Sequence, residues 1–252
     1  MTLVTRAMVM AAGYGKRMHP ITETRPKPLV EVCGRALIDH VLDRLAEAGI
    51  ESVVVNAHYL GEQIERHLAG RGVPRCQISR EETLLETGGG VVNALPLLGD
   101  EPFYVLNADI FWFDGAIPAL ERLARAWNGE TMDSLLLLQR TVSALSYDGV
   151  GDYYADSAGA LTRRQGSEVA PFLYAGVELI HPRALKGRAV EPFSRNRVWD
   201  DLQEQHRLFG LVHDGLWFHV GSPDDLEAAE TYLDERRLSP TYDWAGARRQ
   251  PV

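Results

Sequence analysis

An apolar run, Ala7 to Ala12, ends at Gly13 and Gly15, and charge follows at once in Lys16 and Arg17. Further on, Lys27 stands between two prolines, Pro26 and Pro28. A strand that stops in a glycine turn offers backbone N–H groups, and a chain without a Cβ lets an anion come close. Adjacent cations make phosphate the fitting anion. A chain that opens this way is constrained to an α/β sheet, because ligands of such sheets collect outside the carboxyl ends of parallel strands.

The remaining pattern agrees. Leu37, Ile38, Val41, Leu42 and Leu45 repeat at helical spacing within 36–48, and Gly49 ends the segment. Strands are expected at 52–56, 76–79, 103–107 and 135–138, alternating with helices at 60–68, 90–98 and 116–127. After Arg140 the rhythm shortens. The turn Asp156–Gly159 sits between two short strands, which reads as a hairpin. A strand at 173–180, a helix at 198–205 and strands at 208–213 and 217–220 follow. A helix at 224–236 closes the domain, with Ser222 as its cap and Pro223 in its first turn. The expected fold is a Rossmann-like single domain, residues 1–238, with a mixed, mostly parallel central sheet. Residues from about 149 to 180 read as a substrate-side insertion, and 239–252 as a loosely held tail rich in Arg and Pro.

Four features fall where strands should end: the glycine loop, Asn56, LETGGG (Leu85–Gly90), and Asn107–Ala108–Asp109. Asp109 follows a buried strand directly, so its carboxylate is rigidly held, as a hard Mg²⁺ ligand should be.

The spacing GxGxRM followed by PKPL resembles the signature of the sugar-1-phosphate nucleotidyltransferases, and the likeness runs from Arg6 to about Asp234. It implies a nucleotide site at Ala12, Gly13, Gly15, Lys16, Arg17 and Lys27, with Arg17 on the β/γ-phosphates and Lys27 at the reacting centre. LETGGG is closer to the uridylyltransferases that act on N-acetylmuramate α-1-phosphate in cell-wall (peptidoglycan) recycling. By that likeness Thr87 and Gly88 approach the nucleobase, and Glu81 accepts from the uracil N3–H; Glu81 and Glu82 read equally as a solvated pair. GVGDYY and FLYAGVELI resemble the sugar-cradling strands of the family and point to Asn107, Gly151, Asp152, Gly176 and Glu178 for the acceptor. Asp109 matches the metal site, with Ala108 where the family has glycine. The second metal-binding aspartate of the family is replaced by His219. An imidazole suits Mn²⁺ better than Mg²⁺. His219 is therefore either a nitrogen ligand or a donor to a phosphate.

The implied partners are a nucleoside triphosphate, UTP by the closer likeness, and a sugar-1-phosphate, with Mg²⁺ (or Mn²⁺) as cofactor. Mannose- or heptose-1-phosphate with GTP, phosphocholine with CTP, and a catalytically silent nucleotide-sugar binder stay open. A dinucleotide-binding oxidoreductase is disfavoured, since Met18 stands where GxGxxG needs its third glycine.

Composition excludes other classes. A net charge of −9 argues against nucleic acid as a partner. No apolar run reaches the ~18 residues of a membrane span. The cysteines, Cys33 and Cys76, suggest neither a metal site nor a disulfide framework, so a reducing cytoplasm is expected for a monomer or small homo-oligomer. Of the three lysines, Lys16, Lys27 and Lys186, two lie in the phosphate segment. In so acidic a chain, local cations and backbone amides must hold the anion.

Overall fold

The computed structural model describes residues 4–145 and 147–238. The tail expected at 239–252 lies outside the described residues. In chain order the elements are β1 (Arg6–Met10), β2 (Glu31–Val32), β3 (Arg35–Ala36), α1 (Leu37–Glu47), β4 (Ser52–Ala57), α2 (Gly61–Leu68), β5 (Arg75–Arg80), α3 (Glu86–Leu98), β6 (Phe103–Asn107), β7 (Ile110–Phe113), α4 (Ala119–Ala126), β8 (Ser134–Arg140), β9 (Tyr153–Ala155), β10 (Leu161–Arg163), β11 (Phe172–Ile180), α5 (Asn196–Glu204), β12 (Leu208–Val212), β13 (Leu216–His219) and α6 (Pro223–Glu235).

One sheet dominates. β5, β4, β1 and β6 lie side by side and parallel. β11 then pairs antiparallel with both β6 and β8, and β12 runs parallel to β8. The hairpin β9–β10 joins at the start of β11, where Phe172 faces Tyr153. So only the hairpin behaves as an addition to the sheet. Phe172–Ile180, grouped with the insertion in the sequence reading, is a central strand of the domain.

Period-two alternation sorts the strands onto two faces. Ala7, Val9, Val53, Val55 and Leu106 point to α1, α2 and α4, while Met8, Val54 and Val105 point to α3 and α5. Helices cover both faces, which is the three-layer α/β arrangement. A third cluster closes one end. There β7 pairs with β13, Phe111 stacks on Phe218 at 4.5 Å, and Ala229 and Leu233 of α6 pack below.

Strand β7 was not foreseen: the four residues straight after Asp109 were given no element of their own. Its apolar residues alternate between two clusters, Ile110 and Trp112 in one and Phe111 in the other, and β13 supplies its only sheet partner among the described residues. The cap of α6 is as expected: the Ser222 side chain accepts from the Asp225 N–H.

Candidate active site

The carboxyl ends of three strands form a row. Met10 at the end of β1 lies in register with Asn56 of β4 on one side and Asn107 of β6 on the other. Asn56 Oδ1 accepts from the Ala11 N–H at 2.6 Å, which fixes where the glycine loop leaves the sheet. Gly15 adopts φ +63°, and a Cβ there would lie 3.0 Å from that of Lys27, so the loop folds back onto the PKP segment only with glycine. Thr22 Oγ1 donates to the Gly15 carbonyl at 2.8 Å and holds the fold-back. Over these strand ends lies a cleft of about 560 Å³.

Nine of the residues expected to contact substrate or metal line that cleft together: Ala12, Gly13, Gly15, Lys16, Arg17, Lys27, Thr87, Asn107 and Asp109. Lys16 and Arg17 are exposed, open to a ligand. Lys27 Nζ sits 2.7 Å from Asp109 Oδ2. His219 Nε2 approaches the same oxygen at 3.4 Å. β13 brings it there: His219 faces Ile110 across the β7–β13 pair, and the next residue, Val220, donates its N–H to the Asp109 carbonyl. Burial alone would push the Asp109 carboxyl up. The hydrogen bond from His219 and the charge of Lys27 outweigh it and hold the group well below the usual carboxylate range. Asp109 is thus a fixed negative charge at a cation-lined cleft, with His219 as a second donor beside it.

The nucleobase loop is organised differently from the expectation. Glu81 is buried, and both of its oxygens are engaged: Oε1 accepts from Asn56 Nδ2 at 2.7 Å and Oε2 from the Leu85 N–H at 2.9 Å. It does not line the cleft; it ties the phosphate loop, through Asn56, to the loop ahead of α3. The glycines of LETGGG are not free donors either. Gly88 and Gly89 both donate to the Phe193 carbonyl, at 2.7 and 3.3 Å. A Cβ on Gly88 would reach 2.2 Å from the Phe193 ring, and one on Gly89 would reach 2.0 Å from the Glu191 oxygen. Gly88 and Gly89 let α3 pack against the 191–193 segment, while a Cβ on Gly90 would instead reach 2.7 Å from Glu81 Oε1, leaving Leu84, Glu86 and Thr87 at the cleft.

On the acceptor side, the sequence-predicted residues other than Asn107 stand behind the cleft wall. Asp152 Oδ2 accepts from the Tyr174 N–H at 2.9 Å, pinning the hairpin to β11. Gly151 is packed so closely that a Cβ would lie 2.2 Å from the Ala170 oxygen. Gly176, at φ +81°, forms the bulge of β11 beside Ile110 and Asn107. Glu178 is fully buried: its Oε1 accepts from Trp199 Nε1 at 2.8 Å and from the Ser134 hydroxyl, and its Oε2 lies 3.2 Å from Arg195 Nη1. A carboxylate so enclosed cannot touch a sugar in the cleft. Sequence reasoning missed Arg195 because a basic residue ahead of a helix carries no distinguishing pattern. It also gave Asn56 no role beyond its place at a strand end.

A family model for nucleotidyl transferases matches residues 6–147, which include the loop, Lys27 and Asp109. The chain belongs to the nucleotidyl transferase family. It is 43% identical over 234 residues to an N-acetylmuramate alpha-1-phosphate uridylyltransferase of Caulobacter vibrioides, covering 91% of this chain and 97% of the relative. The corresponding enzyme of Neisseria meningitidis is 34% identical, covering 89% and 96%. A mannose-1-phosphate guanylyltransferase catalytic subunit beta of Danio rerio is 29% identical, and the chain spans 62% of it. Among solved structures, a UDP-glucose pyrophosphorylase from Acinetobacter baumanii superposes with a TM-score of 0.75 at 18% identity, covering 94% of this chain and 96% of the other. That likeness gives this nucleotidyltransferase the same fold. Among the described residues, no helix is long and apolar enough to cross a membrane, and no group of three or more His, Cys, Asp or Glu is placed to hold a metal.

Proposed function

We propose that this nucleotidyltransferase transfers UMP from UTP to N-acetylmuramic acid α-1-phosphate, releasing pyrophosphate and forming the UDP-sugar. The observation that carries the reading is the cleft itself, with Lys16, Arg17, Lys27 and Asp109 over a row of strand ends. The choice of UTP and of this acceptor is supported by the extent of the likeness to the two uridylyltransferases.

The acceptor phosphate, with a second pKa of about 6, is already anionic at neutral pH, so it needs no general base. The task of the protein is to bring two polyanions together and offset their repulsion. Backbone amides of the glycine turn and the exposed cations Lys16 and Arg17 hold the β/γ-phosphates. Lys27, close to Asp109, lies where charge shifts as the α-phosphorus is attacked in line. Asn107, which lines the same cleft, orients the acceptor.

A divalent cation fits the donor set. Asp109 would hold it through hard carboxylate oxygen, with the His219 imidazole close by. With one protein carboxylate in place, Mg²⁺ is the expected ion. When bound, it would offset negative charge on the phosphates of the reacting pair.

A pyrophosphate-release assay with a matrix of UTP, GTP and CTP against N-acetylmuramate, N-acetylglucosamine and mannose 1-phosphates tests the proposal. UTP with N-acetylmuramate 1-phosphate is expected to lead every other pair. A faster reaction with GTP and mannose 1-phosphate overturns the choice of substrates.

A further inference from the structure

We infer that Arg195 is a positioning residue for the acceptor: it fixes the Asn107 amide so that its NH₂ group faces the cleft. The inference rests on the reading of the cleft as a sugar-phosphate transfer site. A guanidinium has donors and no acceptor, so the Asn107 atom facing Arg195 Nη2, 3.4 Å away, is the carbonyl oxygen. The NH₂ end is thereby directed away from Arg195, and Asn107 lines the cleft. Hydroxyl and phosphate oxygens of a sugar phosphate are acceptors, and a fixed donor is what they require. No other side chain among the described residues bonds to the Asn107 amide. Without Arg195 it would be free to flip.

Arg195 itself is locked from several directions. Its backbone N–H donates to Thr87 Oγ1 at 3.0 Å, and Nη2 also donates to the Tyr174 hydroxyl at 3.2 Å. The guanidinium lies 5.2 Å from the Trp199 ring and 5.6 Å from the Tyr174 ring. Glu178 neutralises it across 3.2 Å. Tyr174 is in turn tied by its N–H to Asp152. A chain of contacts thus runs from the hairpin, through β11 and the start of α5, to the Asn107 amide at the cleft. Arg195 is only 2% exposed, too enclosed to meet the substrate directly. A buried ion pair gains little stability over an apolar pair of similar volume. The fixed amide orientation is what this pair provides in exchange.

The test uses the full chain and steady-state kinetics with UTP and N-acetylmuramate 1-phosphate. The double variant Arg195→Met/Glu178→Gln removes both charges together and so leaves neither buried alone. It should melt within a few degrees of the parent, raise the acceptor KM about tenfold, and leave the UTP KM within about twofold, the scale of one lost hydrogen bond. Asn107→Ala should cost about tenfold in acceptor KM in the parent and less than about twofold in the double variant, because a freed amide has little left to lose. Equal cost in both backgrounds, or a parallel rise in both KM values, overturns the positioning role. If the double variant does not fold, Arg195→Lys answers instead. It keeps a charge for Glu178, but one ammonium cannot also hold Asn107, so the same acceptor defect is expected; a parent-like acceptor KM overturns the inference. A parent chain that transfers to no sugar phosphate at all overturns the reading of the site, not this role.

Discussion

On the phosphate side of the cleft, the working groups are neighbours in sequence and stand in the open: Lys16 and Arg17 are exposed, and the turn that carries them is consecutive backbone. On the acceptor side, Glu178 and Arg195 come from β11 and the start of α5 and are almost absent from the surface. Exposed cations keep their hydration until a ligand arrives, so the fold loses little by their removal. Buried charges have exchanged water for one another, and removing either leaves its partner stranded. One side of the cleft should therefore fail in function before it fails in stability, and the other in the reverse order.

The largest expected effect lies on the buried side. Glu178→Ala leaves Arg195 uncompensated and should cost about 3–5 kcal/mol of stability. That corresponds to a fall of roughly 10 °C in melting temperature for a chain of this size. A loss below about 1 kcal/mol in chemical denaturation would show that the two sides do not differ as described. Asp109→Asn should come next: it keeps the shape but loses the charge that a metal requires. Turnover should drop by about 10²–10³-fold, the scale of one lost electrostatic catalytic group, while the melting temperature moves by a few degrees. A variant that keeps most of its magnesium-dependent rate places the metal elsewhere.

Within the phosphate side, Arg17 and Lys27 should separate. Arg17→Ala should raise the UTP KM by about tenfold or somewhat more, as loss of a charge-assisted contact does, with turnover close to that of the parent. Lys27→Ala should lower turnover more than UTP affinity, because Lys27 lies beside Asp109 at the reacting centre. Steady-state kinetics with UTP varied distinguishes them. The same KM and turnover pattern for both variants would merge the two roles.

The same contrast explains what was legible in the sequence. The phosphate loop could be read because its chemistry is local: glycines, cations and a strand end lie within one short stretch. The apolar run from Ala7 to Ala12 declared the sheet for the same reason. The acceptor wall depends on which distant residues the sheet brings together. Glu178 looked like a substrate ligand until β11 placed it against Trp199 and Arg195. Glu81 looked free until Asn56 and the Leu85 N–H occupied its oxygens. Gly88 looked like a base contact, but its missing side chain makes room for Phe193. In each case residue type was informative and direction was not, since direction is a tertiary property.

The smallest expected effect concerns pH, and it falls on neither side of the cleft. His40 and His213 are buried, and burial is the main cause that holds each imidazole below its ordinary value. The more exposed His181 is lowered in the same way. Above the unfolded value of about 6.5, these rings are neutral in both states and cost nothing. As pH falls through that value, the unfolded chain takes up protons that the fold refuses, so stability declines toward acid. Asp109 and Asp133, held low by their cationic partners against the effect of burial, add a separate loss only below the ordinary carboxylate value of about 3.9. Melting temperatures taken between pH 7.5 and pH 5 should therefore fall gently, and His40→Gln/His213→Gln should flatten most of that slope. An unchanged slope in the double variant would move the acid sensitivity into the cleft and weaken the division between its two sides.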